Sequence, residues 1–226
     1  MIVCISTLLD SAALGKVRAL LAQARFGDGR ATAGWHARLV KDNEQAEAAH
    51  PAAREAAALV SAALLGNEVF RAAALPRRLR PVLFARYGEG RSYGAHVDDA
   101  LMGLDDPAGP VRTDVAVTVF LTPPEGYDGG ELVVETTAGE QAFKLAAGDA
   151  VAYPATTLHR VAPVTRGERL VAVTWAQSLV RDPAAREVLF DLDAARRAVF
   201  GREGKGPAFD LISKSHANLL RRWAET

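Results

Sequence analysis

Between Leu79 and Val180 the chain is a succession of strand-length apolar runs stopped by turns containing glycine or proline. No other feature narrows the possible folds as much. Val115-Ala116-Val117-Thr118-Val119-Phe120-Leu121 reads as a mostly buried strand, rich in β-branched residues and stopped by Pro123-Pro124. Pro81 to Tyr87, Glu131 to Glu135, Gln141 to Leu145, Ala150 to Tyr153 and the run after Arg169 continue the series. This rhythm predicts an α+β protein with a double-stranded β-helix (jelly roll) core, two packed sheets with a cavity open at one end.

Helical patterns flank that core. Asp10 or Ser11 can cap a helix whose Leu14, Val17, Leu20 and Leu21 share a face, and an alanine-rich helix from Pro51 through Leu65 starts on a proline, where a missing N–H costs little. Past Val180, helical spacing returns from Pro183 through Phe200 and, after the glycine-rich break Gly201 to Gly206, from Phe209 through Ala224. We expect an N-terminal helical and strand support at 1–78, a core at 79–180 and a C-terminal helical extension at 181–226. The 226 residues, near half of them apolar, suffice for one catalytic core with a smaller appendage.

Chemistry concentrates at His96-Val97-Asp98, His159 and Arg169. In extended chain alternate side chains share a face, so His96 and Asp98 can reach one metal while Val97 points away. With His159 they form the ligand set of a 2-His-1-carboxylate facial triad, which holds non-heme Fe(II) and leaves positions open. A His-x-Asp pair alone is usually a surface or hydrogen-bonded pair, and only the downstream His and Arg in a strand-rich region give it weight. Arg169 can grip a carboxylate through two parallel hydrogen bonds. Pro163, Thr165, Arg166 and Gly167 look like a turn, which would put His159 and Arg169 on neighbouring antiparallel strands.

Arg86-Tyr87-Gly88-Glu89-Gly90-Arg91-Ser92-Tyr93-Gly94-Ala95-His96-Val97-Asp98 resembles the Tyr-x-x-Gly-x-x-Tyr-x-x-His-x-Asp block of prolyl 4-hydroxylase-type Fe(II)/2-oxoglutarate dioxygenases. With Asp128-Gly129-Gly130-Glu131-Leu132, Gly148-Asp149, Tyr153-Pro154, His159-Arg160-Val161 and Arg169 the chain resembles the bacterial PKHD-type hydroxylases. Val40-Lys41-Asp42-Asn43-Glu44-Gln45 and Leu219-Leu220-Arg221-Arg222-Trp223 extend the likeness over nearly the whole length. The resemblance implies Fe(II) held by His96, Asp98 and His159, and 2-oxoglutarate as cosubstrate with its far carboxylate on Arg169 and Tyr87. It implies Tyr93 in the active-site wall, L-ascorbate as an auxiliary reductant, and hydroxylation of a substrate with release of succinate and CO2. Asp98 stands where related iron halogenases carry a small residue, which favours hydroxylation. Without the resemblance, Tyr87 and Tyr93 could simply pack the core and bond their hydroxyls to backbone.

Two other readings stay open: a non-catalytic cupin-like sensor of metal and 2-oxo acid, and a scaffold with an incidental metal. His36, His50 and His216 are expected to be structural or solvent-facing, with an approach to the pocket left open for His36, and Trp223 a packing anchor. No Gly-x-Ser-x-Gly elbow accompanies the histidines, and Gly88-Glu89-Gly90 has no following helix to make a phosphate loop. Twenty-seven basic residues balance 27 acidic ones without a long basic block, so no footprint for general nucleic-acid binding is expected. Cys4 is the sole cysteine, which precludes an intrachain disulfide and suits a reducing, cytoplasmic setting without a membrane. The partners expected are 2-oxoglutarate, O2 and an undetermined substrate, with a homo-oligomer contact through the C-terminal helices. Specificity should lie in Asp99 to Thr113, read as an exposed loop. Bacterial relatives are associated with iron uptake, which by resemblance alone suggests a siderophore-linked or metabolite role.

Overall fold

The computed structural model describes residues 1–225. Two antiparallel sheets face each other. The larger has eight strands, in the order Val3–Ile5, Ala150–Pro154, Val115–Phe120, Arg169–Ser178, Leu83–Tyr87, Glu44–Ala46, Phe26–Asp28, with Pro76–Leu79 also paired to Arg169–Ser178. The smaller runs Gly139–Phe143, Leu132–Thr136, His159–Val161, Ser92–His96, Lys41–Asp42.

The central strand Val115–Phe120 is buried throughout because both faces of its sheet are covered. Val115, Val117 and Val119 pack with the N-terminal helices, whereas Ala116 and Phe120 join the layer between the sheets. Its neighbours split the same way: Ala150, Ala152 and Ala172 face outward to the helices, and Val151, Tyr153 and Val171 face inward. The period of two thus sorts each strand between a helix-facing core and a cavity-facing one.

Helices Ser11–Leu21 and Pro51–Gly66 cover the outer face. Asp10 is the cap of the first, its side chain accepting from the Ala13 N–H, and Pro51 opens the second. Val17 and Leu21 of one helix, and Ala53, Ala56, Val60 and Leu64 of the other, recur three or four residues apart and are buried. Among the described residues no single helix is long and apolar enough to cross a membrane.

At the other end, Pro183–Glu203 and Pro207–Trp223 pack against each other. Val180, Ala185 and Leu189 form a small cluster there with Leu75, Leu219, Leu220 and Trp223. The first helix runs through Gly201, which the sequence reading placed in the break. The helix ends where Gly204 adopts φ 71°, so one glycine suffices to stop it.

Three local expectations change. His159 and Arg169 do not lie on neighbouring strands: His159–Val161 belongs to the smaller sheet and Arg169–Ser178 to the larger. The intervening residues are not merely a turn, because Val164–Gly167 forms its own pair with Tyr127–Gly129. The segment from Asp99 to Thr113 is not a plain loop either. Leu101–Met102 pairs with Val111–Arg112, Arg78 donates to the carbonyls of Ala108, Gly109 and Pro110, and Arg80 meets Asp106 at 3.2 Å.

Candidate metal and cosubstrate site

Strand pairing sets the candidate metal ligands together. His96 ends Ser92–His96 and lies directly opposite His159 in the ladder, so the two rings stand 4.3 Å apart. Asp98 sits just past the strand end, its side chain 6% exposed, with Oδ1 3.9 Å from His159 Nε2. Donor atoms of His96, Asp98 and His159 all lie within 4.8 Å of one another. Tyr93 stacks on the His96 ring at 3.6 Å and fixes its plane.

Hydrogen bonding decides which ring nitrogens are free. His96 Nδ1 lies 2.8 Å from the Gly94 carbonyl and His159 Nδ1 3.1 Å from that of Thr157. A carbonyl only accepts, so each Nδ1 carries a proton and Nε2 is the nitrogen left to meet a metal. Burial holds His96 down to about 3, reinforced by the neighbouring His159, so its ring is neutral at ordinary pH. Burial pushes the Asp98 carboxyl up, and the nearby His159 only partly opposes it. Asp98 Oδ2 and the indole Nε1 of Trp175 are buried without hydrogen-bond partners. Two imidazole nitrogens and a carboxylate with an orphaned oxygen fit a divalent first-row transition metal with mixed nitrogen and oxygen ligands.

Across the cavity, Arg169 lies opposite Tyr87 in the ladder of the larger sheet, its guanidinium 5.1 Å from that ring and 5.6 Å from Phe120. It is 2% exposed, its Nε lacks a partner, and among the described residues no carboxylate pairs with it. A buried cation left so is costly unless an anion arrives. Gly130 makes room for it: at φ 68°, a Cβ there would lie 3.1 Å from Arg169 Cδ and as close to the Tyr127 ring. Burial raises the Tyr87 hydroxyl, with Arg169 opposing, and burial also raises Tyr93 and Tyr153, so all three phenols remain proton donors.

One cavity joins these groups, lined among others by His96, Asp98, His159, Tyr87, Tyr93 and Arg169. Every site residue expected from the sequence therefore borders the same space. His50 sits at a helix start, where its side chain accepts from the Ala52 N–H. His216 is buried in the C-terminal helices, and His36 packs edge-on to Trp35.

Lys41, Asn43, Gln45, Thr118, Tyr153 and Trp175 also line the cavity, and the sequence assigns them no site role. Trp175 was within reach of the pattern, because Arg169, Val171, Val173 and Trp175 alternate along one strand and share its inner face. Lys41, Asn43 and Gln45 also alternate, but in a short polar segment that carries no apolar strand pattern. Their segment begins on the smaller sheet, where Lys41 lies opposite Tyr93, and continues onto the larger, where Gln45 lies opposite Ala85.

Comparison with known proteins gives consistent likenesses. Residues 82–177 match the family model described as the 2OG-Fe(II) oxygenase superfamily, and residues 184–225 match the PKHD-type hydroxylase C-terminal domain. A PKHD-type hydroxylase of Synechococcus elongatus is 52% identical over 225 residues, covering 100% of both chains. Among solved structures, a Pseudomonas putida prolyl-4-hydroxylase superposes with TM-score 0.53 at 21% identity, over 78% of this chain and 92% of that one. A Trichoplax adhaerens prolyl hydroxylase, solved with a hypoxia-inducible-factor peptide fragment, gives 0.57 at 16% identity, over 78% and 83%. At those identities the two structures speak to the fold alone.

Proposed function

The chain belongs to the PKHD-type hydroxylases of the 2OG-Fe(II) oxygenase superfamily, and we propose that it holds Fe(II) on His96, Asp98 and His159 and 2-oxoglutarate on Arg169 and Tyr87. It is a 2-oxoglutarate-dependent dioxygenase, a hydroxylase whose substrate is undetermined. Bound Fe(II) would supply the oxygen chemistry that couples decarboxylation of 2-oxoglutarate to succinate and CO2 with insertion of one oxygen atom into a substrate C–H bond.

The protein's own groups have separable tasks. Carbonyls of Gly94 and Thr157 hold the two imidazoles in the tautomer that turns Nε2 toward the metal. A bound cation would also relieve the buried Asp98 carboxylate, which lacks a protein counter-charge near enough to hold it down. Arg169 would bind the far carboxylate of 2-oxoglutarate through its planar fork, and the protonated Tyr87 would donate to the same group. Tyr93 keeps the His96 ring aligned by stacking. The apolar inner faces of the two sheets, which we read as the halves of a jelly roll, keep water from the reacting atoms.

The observation that carries the cosubstrate assignment is the buried Arg169 guanidinium without a protein carboxylate, bordering the same cavity as the His-Asp-His cluster. L-ascorbate fits as an external reductant, a cytoplasmic setting suits the single cysteine, and the C-terminal helices offer a homo-oligomer contact through the half-exposed Phe200 and Leu211.

Anaerobic visible-absorption titration with Fe(II) and 2-oxoglutarate, followed by exposure to oxygen, tests the assignment. A chelate charge-transfer band that decays with succinate formation, and is absent in Asp98→Ala, is the expected result. A metal complex without band or succinate would instead favour a protein that senses metal and 2-oxo acid.

A further inference from the structure

The cavity holds a second buried cation. Lys41 is 5% exposed and lies on the edge strand of the smaller sheet, beside Tyr93. Its Nζ stands 5.2 Å from the Tyr93 ring centroid, and that ring stacks on His96. Thr32 Oγ1, 3.0 Å away, accepts one of its three N–H bonds, and among the described residues no carboxylate comes within ion-pairing distance. Asp98 is the foremost acidic influence on the ammonium, followed by Asp28, and in our assignment Asp98 is committed to the metal. Asp99 also borders the cavity, but it is exposed to solvent. A buried ammonium in this position lacks a counter-ion.

Fastening the neighbouring turn does not account for the charge. The Thr32 hydroxyl is already within hydrogen-bonding distance of Gln45 Oε1 and the Gly29 carbonyl, and Arg30 Nε donates to the Lys41 carbonyl rather than to its side chain. Two positions on, Asn43 is 2% exposed and lines the same cavity, its amide near the Tyr87 hydroxyl but without a well-formed hydrogen bond of its own. Gly29 leaves space for that amide: a Cβ there would meet Asn43 Oδ1 at 1.9 Å. At Lys41 and Asn43 the wall is therefore polar, buried and incompletely satisfied, which suits contact with a ligand.

Arg169 stands on the larger sheet and Lys41 on the smaller, so the two cations approach the cavity from opposite sides. One dianionic cosubstrate that spans the metal and Arg169 leaves Lys41 unpaired. We propose that Lys41 receives an anionic oxygen group, a carboxylate or a phosphate, on the molecule that is hydroxylated, with the Asn43 amide as a neutral contact on the same wall. The inference rests on the assignment of 2-oxoglutarate to Arg169. It makes the primary substrate an anion and Lys41 a determinant of specificity.

Mn(II) in place of Fe(II) allows the test by proton relaxation of small probes. Protein loaded with Mn(II) and 2-oxoglutarate is titrated with N-acetylglycine, methyl phosphate and the neutral N-acetylglycinamide, and 2-oxoglutarate affinity is measured alongside by calorimetry. At least one anion should bind about tenfold or more tighter than the amide, and which one does so distinguishes carboxylate from phosphate. Lys41→Met and Lys41→Gln should both remove that preference while 2-oxoglutarate affinity stays within about twofold, and Lys41→Arg should keep it.

Equal binding of charged and neutral probes to the wild type would overturn the proposal. So would a loss of 2-oxoglutarate affinity in Lys41→Met as large as in Arg169→Met, since Lys41 would then serve the cosubstrate. Wild-type protein that takes up Mn(II) but no 2-oxoglutarate would overturn the cosubstrate assignment, and this inference with it, by a separate readout.

Discussion

Arg169 and His96 show how far single side chains define the site. Arg169→Lys keeps the charge but loses the planar fork, so one of two parallel hydrogen bonds disappears. We expect 2-oxoglutarate to bind about 10- to 100-fold more weakly, on the order of 1.5–3 kcal/mol, with metal affinity nearly unchanged. Calorimetry with each ligand separately checks this, and equal losses for both would contradict the role. At His96 burial sets the sign of a pH effect. The folded ring titrates at about 3 and the unfolded one near ~6.5, so across that interval the unfolded chain binds a proton that the folded one refuses. His96 therefore costs the metal-free protein stability as pH falls from ~6.5 toward 3. Asp98, raised by burial, acts with the opposite sign above the ordinary carboxylate range, because there the folded state keeps a proton the unfolded state has released. In metal-free protein, urea midpoints measured from pH 7 down to 4 should fall less steeply for His96→Leu than for wild type; parallel curves would show that the ring is not buried in its neutral form.

Elements place these residues by alternation and by what covers them. The ten-residue strand Arg169–Ser178 carries the buried Arg169 guanidinium at one end and Trp175 near the other, and Arg169 lies opposite Tyr87 in the neighbouring strand. Its outward residues meet the helices, so one strand serves both stability and chemistry. The C-terminal helical pair contributes no cavity-lining residue and is held to the body through Val180, Ala185 and Leu189. Leu189→Ala should cost about 2–5 kcal/mol, since it empties a fully buried position between helices and sheet edge. Chemical denaturation should show that loss while the iron and 2-oxoglutarate absorption band keeps its intensity in the folded protein. A band lost together with stability would mean that the helical pair shapes the cavity as well.

At the scale of the whole molecule, the site lies between two sheets, and ligands that bind there tie the sheets together in the folded state alone. Metal and 2-oxoglutarate, each at a hundred times its dissociation constant, should together add about 5 kcal/mol, since each supplies about 2.7. For a chain of this length that is a rise of roughly 10–20 °C in the unfolding midpoint, measurable by scanning calorimetry. Arg169→Lys should lose about half or more of the cosubstrate's share and none of the metal's. Much of this molecule was legible in its sequence. The strand rhythm, the helix starts at Asp10 and Pro51, and the grouping of His96, Asp98, His159 and Arg169 all follow from periodicity, capping and ligand chemistry, which are local and can be read along one chain. Short strands with little apolar pattern, such as Lys41–Asp42 and Val164–Gly167, were not legible, because their pairing depends on partners between 35 and 52 residues away. For the same reason the sequence put His159 and Arg169 on neighbouring strands. Side-chain alternation says which residues share a face, but only sheet packing decides which faces meet. That packing turned His159 and Arg169 toward each other across a cavity, and it buried Lys41 and Asn43 in the wall between them.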